Sequence, residues 1–343
     1  MDVALVGLAA SGKTTVFRAL TAGHGTAAAD ARGEHLGSVK IPDERLSKLG
    51  ALVAAKKITP LEVTLHDVPA FSGRAAGEAS ETLSRADALI HVVRAFSRDD
   101  LPHPNGSVHP QRDIISLDTD LMLNDLTIIE RRLEKLDITV RSARSGEREA
   151  GEREQQLLQR CKSLLESETA LRDAISDAQE LKALSNFGFL SLKPMLVLLN
   201  LDEAAAAAAE TENVAICAQL EAELIELSAE EAAEFRRELY VPEGAVARVL
   251  ESLQTLLRLV TFFTAGEKET RAWTVRAGDT ALQAAGRIHT DIERGFIRAE
   301  VIGWDRLLEL GSHVEARKRG ELRTEGKQYV VQEGDVINIL FNV

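Results

Sequence analysis

The sequence predicts an α/β protein on a doubly wound, mostly parallel sheet, with a long helical insertion and a mixed α/β module at its C-terminal end. Three observations lead there. Short apolar runs suited to buried strands alternate with helix-like segments in the first hundred or so residues and resume near residue 193. Between those blocks, apolar residues recur at alternating steps of four and three. From about Thr261 the texture changes to strands punctuated by Gly-Asp turns.

The elements follow in order. VALVG (3–7) reads as a short buried strand, and GKTTVFRALTAG (12–23) as a helix with an apolar face and a glycine stop. LEVTLHDV (61–68) is a second strand with alternating character. ADALIHVVRAF (86–96) is a third, KPMLVLLNLDE (193–203) a fourth and NVAICAQL (213–220) a fifth. Between the third and fourth, Met122, Leu126, Ile129, Leu133 and Leu136 form one seam. Leu157, Cys161, Leu164, Leu171 and Ile175 form a second, with one place taken by Glu168. Together they predict a two-helix hairpin whose charged tip is RSARSGEREAGEREQQ (141–156). A rigid spacer and a partner-binding arm suit that hairpin equally well. The expected boundaries are 1–120 and 186–260 for the two parts of the first domain, 121–185 for the helical arm and 261–343 for the terminal module.

Composition narrows the functional classes. Apolar residues make up 45% and charged residues 28%, as in a soluble globular chain. Forty-one basic and fifty-four acidic side chains leave a net charge of −13, which excludes coating nucleic acid through bulk charge and leaves room for a local patch. Cys161 and Cys217 lie far apart with no metal-ligand spacing, so reduced thiols in a cytoplasmic protein are expected. The N-terminal apolar run is too short for a signal peptide, and no stretch approaches the ~20 apolar residues that span a bilayer.

The chemistry is concentrated at the N-terminus. Gly7-Leu8-Ala9-Ala10-Ser11-Gly12-Lys13-Thr14 has the pattern GxxxxGK[ST], placed after a strand and before a helix. Gly7 and Gly12 let successive backbone N–H groups of Ala9, Ala10 and Ser11 turn toward phosphate oxygens, and the helix N-terminus around Thr14 and Thr15 adds its dipole. Lys13 is expected to reach the β- and γ-phosphates, and Thr14 to bind Mg²⁺. Asp67, closing the second strand, is the expected metal carboxylate; its alternative is a simple turn before Pro69. Asn200-Leu201-Asp202-Glu203 stands where GTP-binding folds carry NKxD. The lysine is absent and Glu203 is a methylene longer than aspartate, which tilts the base toward adenine, with GTP the less favoured ligand.

At these residues the chain resembles the Obg-like ATPases of the YchF type. The resemblance covers nearly the full length. TFFTAGEKETRAWTVRAGDTALQAAGRIHTDIERGFIRAEVI and EGKQYVVQEGDVINILFNV carry it most specifically, with VKIPDERL, ADALIHVVRAF, LNDLTIIERRLEKL and EAELIELSAEEAAEF in support. It implies a TRAFAC-type P-loop NTPase G domain, an inserted helical coiled-coil arm and a C-terminal TGS domain of β-grasp shape. It further implies a preference for ATP, a glutamate at the position of Glu203, and ribosome or RNA contact through the arm and TGS domain. Cys217-Ala218 stands where the family has Ser-Ala, with backbone N–H groups facing the base, and Phe71 stands where Ras-like proteins place a water-orienting glutamine. The chain departs from the family at the switches. Asp67-Val68-Pro69-Ala70 replaces DxxG, so Ala70 restricts the backbone where a glycine N–H contacts the γ-phosphate. Ala31 aligns with the magnesium-binding threonine, with Thr26 nearby.

Other candidates weigh less. His91 and His66 lie in strands and are read as packed rather than basic catalysts. His289-Thr290-Asp291 is read as structural or RNA-facing, and Arg317-Lys318-Arg319 as a solvated loop ahead of a nucleic-acid contact. Arg74 or Arg85 are candidate arginine fingers. The expected function is Mg²⁺-dependent binding and slow hydrolysis of ATP by a cytoplasmic, translation-associated protein. The alternative is a nucleotide-dependent binding or regulatory module with little turnover.

Overall fold

The computed structural model describes residues 1–23, 25, 33–70, 76–142, 145–207, 214–239 and 244–342. Among the described residues, twelve strands run in chain order: β1 (Asp2–Val6), β2 (His35–Ile41), β3 (Ile58–Thr59), β4 (Leu61–Asp67), β5 (Ala88–Ala95), β6 (Met195–Leu201), β7 (Val214–Ile216), β8 (Leu259–Ala265), β9 (Thr270–Arg276), β10 (Phe296–Gly303), β11 (Arg323–Glu325) and β12 (Asp335–Phe341). They form two sheets and the chain divides into two compact units, one of Met1–Val39 with Thr64–Ser252 and one of Lys40–Val63 with Leu253–Val343.

The first unit holds the sheet β2-β4-β1-β5-β6-β7. β1 pairs in parallel with β4 and with β5, β5 with β6, and β6 with β7. Val3, Ala4, Leu5 and Val6 are all fully buried, which is why β1 reads as an unbroken apolar run rather than an alternating one. The order reverses around β1, with β4 on one side and β5 on the other. That arrangement opens a crevice beyond the carboxyl ends of the strands. One sheet face is packed by Val6, Leu83, Leu89, Leu117, Leu121 and Leu190.

The helical hairpin begins earlier in the chain than the expected arm, and its tip is shorter. Its helices span Pro110–Ser142 and Ser145–Glu166, so most of the charged stretch 141–156 is helical. Met122, Ile129 and Leu136 pack with Leu158, Cys161 and Leu165, while Leu126, Leu133, Leu157 and Leu164 flank them. The second seam is not one helix. The helix ends at Glu166, Glu168 sits at φ 58°, and Leu171 and Ile175 join the same core from a separate short helix, Leu171–Ala174, and its end. Arg132 clamps Glu154 across the hairpin through two bonds of 2.7 and 2.9 Å. At its base, the buried Asp125 accepts from the backbone N–H groups of Leu190 (2.9 Å) and Ser191 (2.7 Å).

The second unit is a β-grasp. β8 and β9 form an antiparallel pair, a helix follows at Ala281–Ile288, β10 and β12 form a second antiparallel pair, and β12 runs parallel to β8 at the centre. The helix opens on a capping box between Thr280 and Gln283. Phe262, Ala281, Ala284, Ala285, Val301 and Ile337 fill one side of the sheet, and Leu46, Leu49, Phe263, Ile302, Leu307 and Val336 the other. The compact unit takes in chain outside the expected module of 261–343. Segment 40–63 supplies the helix Glu44–Leu52 and the edge strand β3, parallel to β9.

Candidate functional site

The loop between β1 and the helix Lys13–Leu20 has the shape that its glycines require. Gly7 lies at φ 153°, and a Cβ there would come within 2.4 Å of the Val92 carbonyl oxygen of β5. Gly12 caps the helix at φ 88°, and a Cβ there would meet the Asn200 amide nitrogen at 2.3 Å. Ala10 also takes a positive φ of 61°, a strained backbone of the kind that gathers at ligand-holding loops. Gly12 offers no side-chain cap, so the first N–H groups of the helix remain for a ligand.

Lys13 is buried. Its Nζ donates to the carbonyl oxygens of Gly7 (3.0 Å) and Leu8 (3.2 Å), which stand in for the phosphate oxygens that an ammonium in a P-loop binds. Burial lowers its pKa, opposed by the charge of Asp67. Thr14 Oγ1 donates to Asp67 Oδ2 at 2.7 Å. The two residues expected at the metal thus meet, one from the first helical turn and one from the end of β4. A magnesium ion in such a site needs only one or two protein oxygens, with phosphate and water completing its shell. A hydroxyl and a carboxylate in contact fit that demand. Among the described residues no group of three or more His, Cys, Asp or Glu forms an independent metal centre.

Next to the loop, a cavity of about 510 Å³ is lined by Gly12, Thr15, Phe96, Asn200, Glu203 and Cys217, among others. Its size suits a nucleoside. Asn200 does not point freely into it. Its Nδ2 donates to the Ser11 carbonyl (3.1 Å) and its Oδ1 accepts from Ala218 N–H (3.1 Å), so the side chain ties the phosphate loop to the start of the helix Ala218–Leu224. The expected amide contact with a base is therefore reduced to one remaining N–H. The backbone N–H of Ala218, expected to face the base, is already used. Glu203 lies exposed in the first turn of the helix Glu203–Ala207, while Asp202 caps that turn by accepting from Ala205 N–H at 2.8 Å. Cys217 precedes Ala218 with its thiol pushed up by burial.

The remaining candidates resolve plainly. His91 is fully buried in β5 with neither ring nitrogen hydrogen-bonded among the described residues, and burial, helped by Arg172, pushes it down to about 3. A neutral, packed ring is what that describes. His66 Nε2 lies 3.4 Å from Asp2 Oδ1. His289 accepts from Asp291 N–H and caps the helix Thr290–Arg294. Arg317 pairs with Glu300 (2.6 Å) and Arg319 with Glu315 (2.9 Å), and both Arg317 and Lys318 sit in the helix His313–Lys318, not a loop. Arg85 pairs with Glu81. Thr26, Ala31, Phe71 and Arg74 lie outside the described residues. Sequence reasoning missed Arg94, buried near the end of β5 with its Nε on the Phe96 carbonyl; its signal was a charge at the end of an apolar strand.

Comparison with known proteins decides the family. The chain is 37% identical over 362 aligned positions to "Ribosome-binding ATPase YchF" of Haemophilus ducreyi, covering 99% of this chain and 98% of the relative. The chain belongs to the YchF family. The YchF protein of Bacillus subtilis, described in the same words, is 36% identical, with full coverage of both. Residues 259–342 match the family model YchF-GTPase_C, "Protein of unknown function (DUF933)". The solved structure of the Schizosaccharomyces pombe YchF GTPase superposes with a TM-score of 0.82 at 26% identity, covering 99% of this chain and 97% of the other. Among the described residues no helix is long and apolar enough to cross a membrane.

Proposed function

We propose that this chain binds ATP with Mg²⁺ in the loop 7–15, hydrolyses it slowly, and acts on the ribosome in the cytoplasm. The observation that carries the reading is that Lys13 sits on the loop carbonyls of Gly7 and Leu8 while the next residue, Thr14, meets Asp67. Its YchF relatives are described as ribosome-binding ATPases, and the resemblance extends across both units.

The chain's own groups do most of the chemistry. Lys13 exchanges its two carbonyl partners for phosphate oxygens and holds the β- and γ-phosphates against the loop. The backbone N–H groups of Ala9 to Thr15 and the helix dipole stabilise charge that grows as the terminal P–O bond breaks. Thr14 and Asp67 would hold the magnesium ion, which would supply positive charge beside the phosphates. Asn200 holds the phosphate loop and the base loop at a fixed separation. Adenine is the favoured base because Glu203 stands where an aspartate would read guanine. The helical arm and the β-grasp unit are the surfaces offered to the ribosome.

A second reading is a nucleotide-dependent binding module with little turnover. It is favoured by Pro69 and Ala70, which follow Asp67 where a glycine would let the backbone approach the γ-phosphate. Single-turnover ATP hydrolysis with and without ribosomes separates the two. The enzyme reading expects ribosomes to raise a slow rate that Lys13→Ala abolishes. Equal rates in wild type and Lys13→Ala leave only the binding module.

A further inference from the structure

Strand β5 passes directly beneath the phosphate loop, with the Val92 carbonyl against Gly7. Two residues later, on the same strand face, stands Arg94, 3% exposed and in register with Asn200 on β6. A buried guanidinium is expensive unless its donors are used. Here Nε donates to the Phe96 carbonyl (3.2 Å), Nη2 to the Arg98 carbonyl (3.3 Å), and the guanidinium carbon lies 4.7 Å from the centre of the Phe96 ring. Its partners are two carbonyls and an aromatic face rather than a carboxylate, and Nη1 is buried without a partner among the described residues. All three engaged groups belong to the segment 96–98, whose residues Phe96, Ser97 and Arg98 form one wall of the cavity beside Gly12. Arg98 is fixed from the outside by a two-point pair with Asp100, at 2.8 and 2.9 Å.

Resting on the nucleotide-binding reading above, we propose that Arg94 is the positioning residue for the base end of the cavity. It acts through Phe96 and the 96–98 backbone, setting that wall of the cavity while Val92, on the same strand, sets the phosphate end. A planar fork is needed, because only a guanidinium spans two carbonyls and stacks on a ring at once; an ammonium does one of these. Loss of Arg94 therefore affects ligands that carry a base and leaves ligands that are only a phosphate tail.

The test compares MgATP with magnesium tripolyphosphate, which has the tail and no nucleoside, by displacement of a fluorescent nucleotide from the full-length protein. Wild type, Arg94→Met and Arg94→Lys are measured. We expect ATP affinity to fall about tenfold in both variants, with tripolyphosphate affinity unchanged within about twofold, so the ratio of the two collapses. Arg94→Lys keeps the charge and most of the volume and serves if Arg94→Met fails to fold. An unchanged ratio, whether neither ligand weakens or both weaken together, overturns the proposal. Failure of wild type to bind either ligand overturns the nucleotide reading instead.

Discussion

His91→Leu tests whether the strand histidine is a packed group or a catalytic base. The ring is fully buried with both nitrogens unpartnered among the described residues, and it stays neutral until about pH 3. Burial is the main cause; Arg172 and Lys13 push the same way, and Asp113 opposes. In the unfolded chain the same ring titrates at 6.5. As pH falls through the unfolded value the unfolded chain takes up a proton and the folded chain does not. Stability that is fully present above the unfolded value is therefore lost progressively down to the folded one. From these two values the loss is about 2 kcal/mol at about pH 5 and about 5 kcal/mol near the bottom of the window. Leucine removes both the titration and two unsatisfied nitrogens, so at neutral pH the variant should be as stable as wild type or more so. Urea unfolding followed by far-ultraviolet circular dichroism at about pH 7.5 and about pH 5 supplies the measurement. The wild type should lose about 2 kcal/mol more than His91→Leu between the two conditions. Equal pH dependence in both proteins would refute the burial argument, and loss of nucleotide hydrolysis in the variant would restore the catalytic reading.

Gly12→Ala forces a Cβ to within 2.3 Å of the Asn200 amide at a positive φ, so it should weaken ATP binding by at least about tenfold in calorimetry. Asp67→Asn keeps an acceptor for Thr14 but removes the metal carboxylate, so the gain in ATP affinity on adding Mg²⁺ should shrink while metal-free affinity holds. Asp125→Ala strips two buried N–H groups of their acceptor and should cost roughly 2–5 kcal/mol in chemical denaturation, without altering the ligand preference.

The phosphate loop was legible because its chemistry is local: two glycines, a lysine and a threonine at fixed spacing after an apolar strand leave few alternative shapes. The position of Asp67 beside Thr14 could be anticipated for the same reason, from the polar end of an alternating strand. β2 was not. One of its inward positions is Gly37, where a Cβ would sit 2.7 Å from Thr21 Cγ2, so the alternation that marks a strand has a gap. The assignment of 40–63 to the β-grasp unit leaves no trace in spacing, since nothing in a linear pattern records which sheet edge a two-residue strand will join. The hairpin seam was read correctly as apolar and wrongly as continuous. Leu171 and Ile175 keep the period while the backbone breaks at Glu168, because the core selects side-chain positions and not helix continuity. Asn200 shows the same limit at the site. Its residue type pointed to a base, but the fold commits both ends of its amide to the loops on either side.

The most direct measurement is calorimetric titration of MgATP and MgGTP into wild type and Lys13→Ala. A buried ammonium between two loop carbonyls, with Glu203 at the base position, predicts saturable one-site binding of ATP by wild type, weaker binding of GTP, and loss of both in the variant. Retention of wild-type ATP affinity by Lys13→Ala would contradict the account.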